Sequence, residues 1–348
     1  TGHHVRKAQE ARWGDMPEGL HPDLLAALEA RGITRPYSHQ ADSIRTVLEG
    51  RHLVLTTPTA SGKTLCYNVP VLDRLLKEPD ARALYLFPTK ALSQDQYSGL
   101  HRLIEATRAD IGTYTFDGDT PQDARRAVRE HGHIVITNPD MLHAGVLPQH
   151  TKWLKLFEEL KYVVIDELHT YRGIFGSHVA HVLRRLLRIA RFYGSEPQLI
   201  CCSATIANPV PLARELTGLD DFVHVAESGA PRGEHHLVCY NPPVVNRQLG
   251  VRASYIRTSF RIARDLLLAG VSTIVFASGR LQVEILLKYL REAMARANEP
   301  TDSVQGYRGG YLPKHRRRIE AGLRAGTIRG VVATNALELG IDIGALDA

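Results

Sequence analysis

At 348 residues the chain exceeds one average domain, and its length suggests roughly two. With 44% hydrophobic and 23% charged residues it has an ordinary globular balance, and no apolar run reaches the ~18 residues of a membrane span. The net charge of +6 and pI of about 9.1 lean towards a polyanionic partner, and the first twenty residues lack the apolar centre of a signal peptide.

In chain order, "PDLLAALEARG" (22–32) starts on Asp and stops on Gly, and reads as an accessory packing helix. Apolar runs follow at 52–57, 83–88, 134–137, 162–167, 199–205, 272–278 and 330–335. Most are apolar throughout, as central parallel strands covered on both faces are. Helical stretches such as 64–78 and 281–297 alternate with them, which predicts an α/β fold with doubly wound parallel sheets. The alternation lapses in a Gly-, Pro- and His-rich stretch at 226–245. The expected organisation is an accessory segment at 1–35, a first domain at 36–228 and a second at 229–348. Cys66, Cys201, Cys202 and Cys239 form no C-x-x-C pair, and are expected to be reduced core thiols of an intracellular protein.

"TTPTASGKT" (56–64) links the strand "HLVL" to a helix. A phosphate cradle needs backbone N–H groups converging at a helix N-terminus, a lysine for the β/γ-phosphates and a hydroxyl for Mg²⁺. Thr59, Ala60, Ser61, Gly62, Lys63 and Thr64 supply these, although Thr57 stands where the strict motif has its first glycine. A polar turn opening a helix is the competing reading. About 100 residues on, "VVIDELHTY" places Asp166 and Glu167 at the end of a strand expected to be buried. Such a pair needs compensation. In a phosphate-loop nucleotidase, Asp166 would hold Mg²⁺ with Thr64, and Glu167 would orient or deprotonate the attacking water. The alternative is a strand-end Asp capping a turn.

The "DELH" box, Asp166 to His169, resembles that of superfamily 2 helicases, and further motifs follow in that family's order. "PYSHQ" resembles the adenine-reading Q motif, "FPTKALSQDQ" motif Ia, and "DGDTP" and "TNPDML" motifs Ib and Ic. Ser203-Ala204-Thr205 resembles motif III, "TIVFASGR" motif IV and "VVATNALELGIDIG" motif V. The stretches 166–189, 228–243 and 307–320 are similar to one branch, the MrfA-type DNA-repair helicases, which are related to the RecQ-four-like helicases.

This resemblance implies tandem RecA-like domains, the second incomplete here, with ATP and Mg²⁺ as cofactors and single-stranded or tailed DNA as partner. The family's arginine-rich motif VI and zinc-binding cysteine-rich region fall outside the sequence, so weak hydrolysis by this part alone and no zinc in it are expected. By resemblance Gln40 reads adenine, against a polar residue at a helix start, and Gly340 and Asp342 face the nucleotide from the second domain, against a turn with a solvent carboxylate; Tyr37 either stacks on the base or is a packed aromatic. His169 would link the catalytic site to Ser203 and Thr205, coupling hydrolysis to movement. The nucleic-acid track would use Pro88, Thr89, Lys90, Gly118, Thr137, Asn138, Pro139, Ser278, Arg308, Thr334 and Asn335, groups suited to sequence-independent backbone contact. A structural role competes at each of them. The arginines at 184, 185, 188 and 191 read first as a solvated helix face. The expected activity is ATP-dependent 3′→5′ DNA unwinding in repair, in the bacterial cytoplasm, without membrane attachment. An RNA helicase and an ATP-gated clamp that does not unwind are the rivals.

Overall fold

A computed structural model describes residues 2–334, 337 and 346–348, and leaves the side chain of Pro313 undescribed. The expected Asn335, Gly340 and Asp342 contacts lie outside these residues. The chain divides into two compact units, Lys7–Glu234 and His235–Ala348 with Thr1–Arg6. The accessory segment expected at 1–35 is therefore split. Strand β1 (Gly2–Arg6) pairs antiparallel with β9 (His235–Cys239), while the helix Pro22–Glu29 buries Leu24, Ala27 and Leu28 in the core of the first unit.

The first unit is built on seven parallel strands: β2 (His52–Thr56), β3 (Arg82–Leu86), β4 (Thr113–Thr115), β5 (Ile134–Thr137), β6 (Leu160–Ile165), β7 (Gln198–Ser203) and β8 (Phe222–Val225). Their order is β4-β5-β3-β6-β7-β2-β8. The apolar runs were continuous because both faces are covered. Leu53, Tyr85, Ile136 and Cys202 pack into one core, and Val54, Leu86, Val135 and Cys201 into the other. The two adjacent cysteines thus point to opposite faces, as strand alternation requires. The strand expected to carry the carboxylates ends at Ile165, one residue short of Asp166.

The second unit holds a parallel sheet of β12 (Thr273–Phe276), β14 (Gly330–Ala333) and β13 (Val304–Tyr307), in that order. The helix Arg280–Arg296 buries Val283, Leu286, Leu287 and Leu290 with Val304 and Val332. Strands β10 (Val244–Asn246) and β11 (Val251–Arg252) form a second short antiparallel pair. Cys239 is exposed on β9, against the expectation of four core thiols, because every residue of the β1–β9 ladder is exposed.

Candidate nucleotide and nucleic-acid site

The candidate residues of the first unit gather beyond the carboxyl ends of β2, β3, β5, β6 and β7, where open parallel sheets place their ligands. After β2 the loop turns into the helix Lys63–Lys77 through Gly62, whose φ of 79° places it in the left-handed region. Thr57 Oγ1 and Ser61 Oγ lie 2.6 Å apart and brace the loop from inside. Lys63 Nζ donates to Thr57 O and Pro58 O, both at 2.9 Å, so its ammonium lies folded over the cradle. Thr64 donates to Gln96 Oε1 at 3.1 Å, and the Tyr67 hydroxyl meets the same oxygen at 3.2 Å. Gln96 belongs to "FPTKALSQDQ", but only the fold shows that it holds the Thr64 hydroxyl.

Gln40 spans two backbone groups. Its Oε1 accepts from Tyr37 N at 2.9 Å, and its Nε2 donates to Gly62 O at 3.0 Å. The carboxamide keeps one further donor and one further acceptor position, enough for a base edge. Tyr37 lies between Trp13, at a ring separation of 4.8 Å, and His39, at 6.1 Å. Trp13 had no sequence signal beyond being aromatic.

Beyond β6 the chain leaves the strand abruptly. Asp166 N donates to Leu86 O, Glu167 N donates to Asp166 Oδ1 at 2.8 Å, and Glu167 adopts φ 51°. Asp166 is only 8% exposed. Burial, then the neighbouring Glu167 charge, push its carboxyl up to about 7. Burial also raises Glu167, against the opposing pull of Lys63. The nearby Lys63 ammonium bonds its own loop rather than these buried acids. Two hard oxygen donors, the Asp166 carboxylate and the Thr64 hydroxyl, suit Mg²⁺. Among the described residues no group of three or more His, Cys, Asp or Glu converges on a metal. A divalent ion here would complete its shell with nucleotide oxygens and water.

His169 Nδ1 lies 3.3 Å from Glu167 Oε2, 3.4 Å from Ser203 Oγ and 3.4 Å from Ala204 N. Burial, followed by the charges of Arg172 and Lys63, lowers its pKa. The contact to the end of β7 therefore runs to Ser203 and Ala204. Thr205 is exposed, and among the described residues the hydrogen bonds of His169 run to Ser203 and Ala204 rather than to it.

The track residues divide by environment. Lys90 is exposed, opens the helix Lys90–Thr107, and pairs with Asp119 at 2.8 Å beside exposed Gly118. Thr89 caps that helix through Leu92 N, and half-buried Pro88 precedes it. Asn138 caps the next turn through Met141 N, and Pro139 is buried. Thr137 is buried as well, with its hydroxyl donating to Phe116 O at 2.6 Å, which turns it away from the surface. In the second unit Ser278 is exposed, Arg308 pairs with Glu284 at 2.7 Å and stacks on Tyr311, and Thr334 N bonds Tyr307 O.

A family profile described as DEAD/DEAH box helicase matches residues 37–212, and one described as helicase conserved C-terminal domain matches 258–348. The chain is 55% identical to the ATP-dependent helicase YprA of Bacillus subtilis over 99% of its own length and 46% of that relative. A solved structure of the DUF1998 helicase MrfA bound to DNA matches with a TM-score of 0.95 and 55% identity, covering 99% of this chain and 46% of that one. A second, of MrfA bound to DNA and AMPPNP, gives 0.94 and 54%, with coverage of 99% and 48%. The chain spans about half the length of these relatives. The ordered motifs, the parallel sheet and the matching profile agree, and the chain belongs to the DEAD/DEAH box helicases.

Proposed function

We propose that the chain is the motor portion of an ATP-dependent DNA helicase, moving 3′→5′ along single-stranded or tailed DNA, in the service of DNA repair and in the bacterial cytoplasm. The observation that carries this reading is one convergence. A phosphate loop with Lys63 and Thr64, a buried Asp166–Glu167 pair, and a histidine touching the end of β7 meet at the same edge of one sheet. DNA in the related MrfA structures favours DNA over RNA as the track.

Bound ATP with Mg²⁺ would supply the phosphoryl group and the charge that the acids need. Thr64 and Asp166 would hold the ion, Lys63 the β/γ-phosphates, and Gln40 and Tyr37 the base. Glu167 would position the attacking water and take its proton. His169 would report the state of the site to Ser203 and Ala204. Lys90, Gly118 and Asn138 in the first unit, and Ser278, Arg308 and Asn335 in the second, would hold backbone phosphates irrespective of sequence.

The test is ATP hydrolysis by the full-length protein with single-stranded DNA, with RNA and with neither, alongside unwinding of a 3′-tailed duplex. Stimulation by DNA, unwinding, and loss of both in Lys63→Ala are expected. Equal stimulation by RNA would make it an RNA helicase, and binding without unwinding would make it a clamp. A Lys63→Ala protein that still unwinds would end the reading.

A further inference from the structure

His39 is fully buried on the helix Ser38–Leu48 and has no part in the chemistry above. Its Nε2 lies 3.0 Å from Ser61 O in the phosphate loop, and its Nδ1 lies 3.1 Å from Gly229 N. A backbone N–H can only donate, so Nδ1 carries the lone pair and the ring proton sits on Nε2, donating to Ser61 O. One neutral imidazole thus joins the loop to a residue 190 positions along the chain.

Gly229 lies on the segment by which the chain leaves the first unit at Glu234. That segment runs antiparallel to the entering one. Gln9 and Arg232 exchange two backbone hydrogen bonds of 3.0 Å, Arg12 N donates to Gly229 O at 2.8 Å, and Arg12 O accepts from Ser38 N at 2.8 Å. Only glycine fits at position 229. An added Cβ would lie 2.6 Å from Arg12 O and 2.8 Å from Ser38 N, and would also strike the Ser38 hydroxyl. Close packing of backbone on backbone delivers the Gly229 N–H to the ring.

We propose that His39 is a positioning residue that ties the backbone of the phosphate loop to the exit segment 228–232, so that nucleotide seated in the loop changes how firmly that segment is held. The proposal rests on the functional reading above only in taking the loop to bind nucleotide. The mechanical link is short. Lys63 spends two of its three N–H donors on Thr57 O and Pro58 O, so a phosphate that draws it in pulls on those carbonyls, and Ser61, whose carbonyl His39 holds, lies between them and Lys63 in the chain. Rearrangement of the loop therefore acts on the ring, and the ring acts on Gly229.

Two conservative variants separate the halves of the contact. Gln at 39 retains a donor near the Nε2 position and loses the acceptor for Gly229. Asn retains an acceptor near the Nδ1 position and loses the donor for Ser61. The affinity of the full-length protein for a fluorescent Mg²⁺–ATP analogue is measured together with amide hydrogen exchange across 226–234, with and without nucleotide. In the wild type nucleotide slows exchange there. His39→Gln is expected to bind within about twofold of wild type yet lose that response, and His39→Asn to bind about three- to tenfold more weakly. Gly229→Ala, which pushes the segment off the ring from the other side, reproduces the Gln result. Two variants that match wild type in both readouts overturn the proposal. So does an equal loss of binding and melting temperature in both, which marks His39 as packing alone. A wild type that binds no nucleotide refutes the functional reading and the inference with it, whereas a wild type that binds with unresponsive 226–234 exchange refutes the inference only.

Discussion

Asp166→Asn tests the charge logic of the site most directly. The Asp166 carboxyl is buried beside Glu167 and is pushed from the ordinary 3.8 up to about 7. Between these values the folded protein holds a proton that the unfolded chain has lost. Stability therefore falls as pH rises through that window, and stays lowered above it. At 1.36 kcal/mol per pH unit the shift, which already includes the pull of Lys63, corresponds to about 4 kcal/mol as an upper bound, and relaxation around a buried charge brings it to about half of that. Asn keeps the acceptor that Glu167 N uses at 2.8 Å and sheds the charge. In EDTA at pH 8, Asp166→Asn should melt about 5 °C above wild type, and the gain should vanish near pH 4. With Mg²⁺ and an ATP analogue the order should reverse, because only the wild type gains from ligand binding. The assay is thermal melting across pH, in EDTA and in Mg²⁺–nucleotide. A variant no more stable than wild type at pH 8, or equally stabilised at every pH, would refute the reasoning.

Gly62→Ala forces a Cβ to within 2.5 Å of Gln40 Nε2 at a φ of 79°. It should cost about 1–2 kcal/mol of stability and about tenfold in nucleotide affinity, measured by melting and titration. His169→Ala removes the contact to Ser203 and Ala204. It should lower unwinding well beyond its effect on ATP hydrolysis, and equal losses would remove the coupling role. Lys90→Glu replaces the ammonium held at 2.8 Å by Asp119 with a like charge. Single-stranded DNA should bind more weakly, with a salt slope smaller by about one, and an unchanged slope would take Lys90 off the track.

The parts legible in the sequence are those with local physical causes. A strand covered on both faces must be apolar throughout, so "HLVL" and "YVVI" announce themselves. A phosphate loop needs its glycine, lysine and hydroxyl in consecutive places, so Gly62-Lys63-Thr64 does too. What stayed hidden depends on distant partners. Gln96 meets Thr64 across 32 positions, and His39 needs Gly229 across 190. The exposed β1–β9 ladder has no buried face and hence no alternating apolar pattern to betray it. The fate of Thr137 could have been read. In "IVIT" it shares a face with Val135, which is buried, so its hydroxyl had to turn inward to the Phe116 carbonyl.

Backbone conformation separates the site from the scaffold by a route independent of motif matching. Among the described residues four that are not glycine have positive φ: Ala60, Arg108, Glu167 and Asn298. Arg108 is the C-cap of the helix Lys90–Thr107, and Asn298 comes two residues after the helix Arg280–Arg296, where the left-handed region is an ordinary way to stop. Neither of the other two ends a helix at its C-terminus, and Glu167 instead precedes the short 3-10 turn Leu168–Thr170. Ala60 lies in the phosphate loop, and Glu167 is the carboxylate that faces His169. A left-handed Cβ costs roughly 1–2 kcal/mol, and such strain persists only where the surroundings over-determine it. Both turns are held by such surroundings. Ser61 beside Ala60 is bound by Thr57 and His39, and Glu167 N is bound by Asp166 Oδ1. Relaxing either turn would move a carbonyl or carboxylate that other groups already hold. The strain is therefore stored where loop and acids must keep their places before any nucleotide arrives.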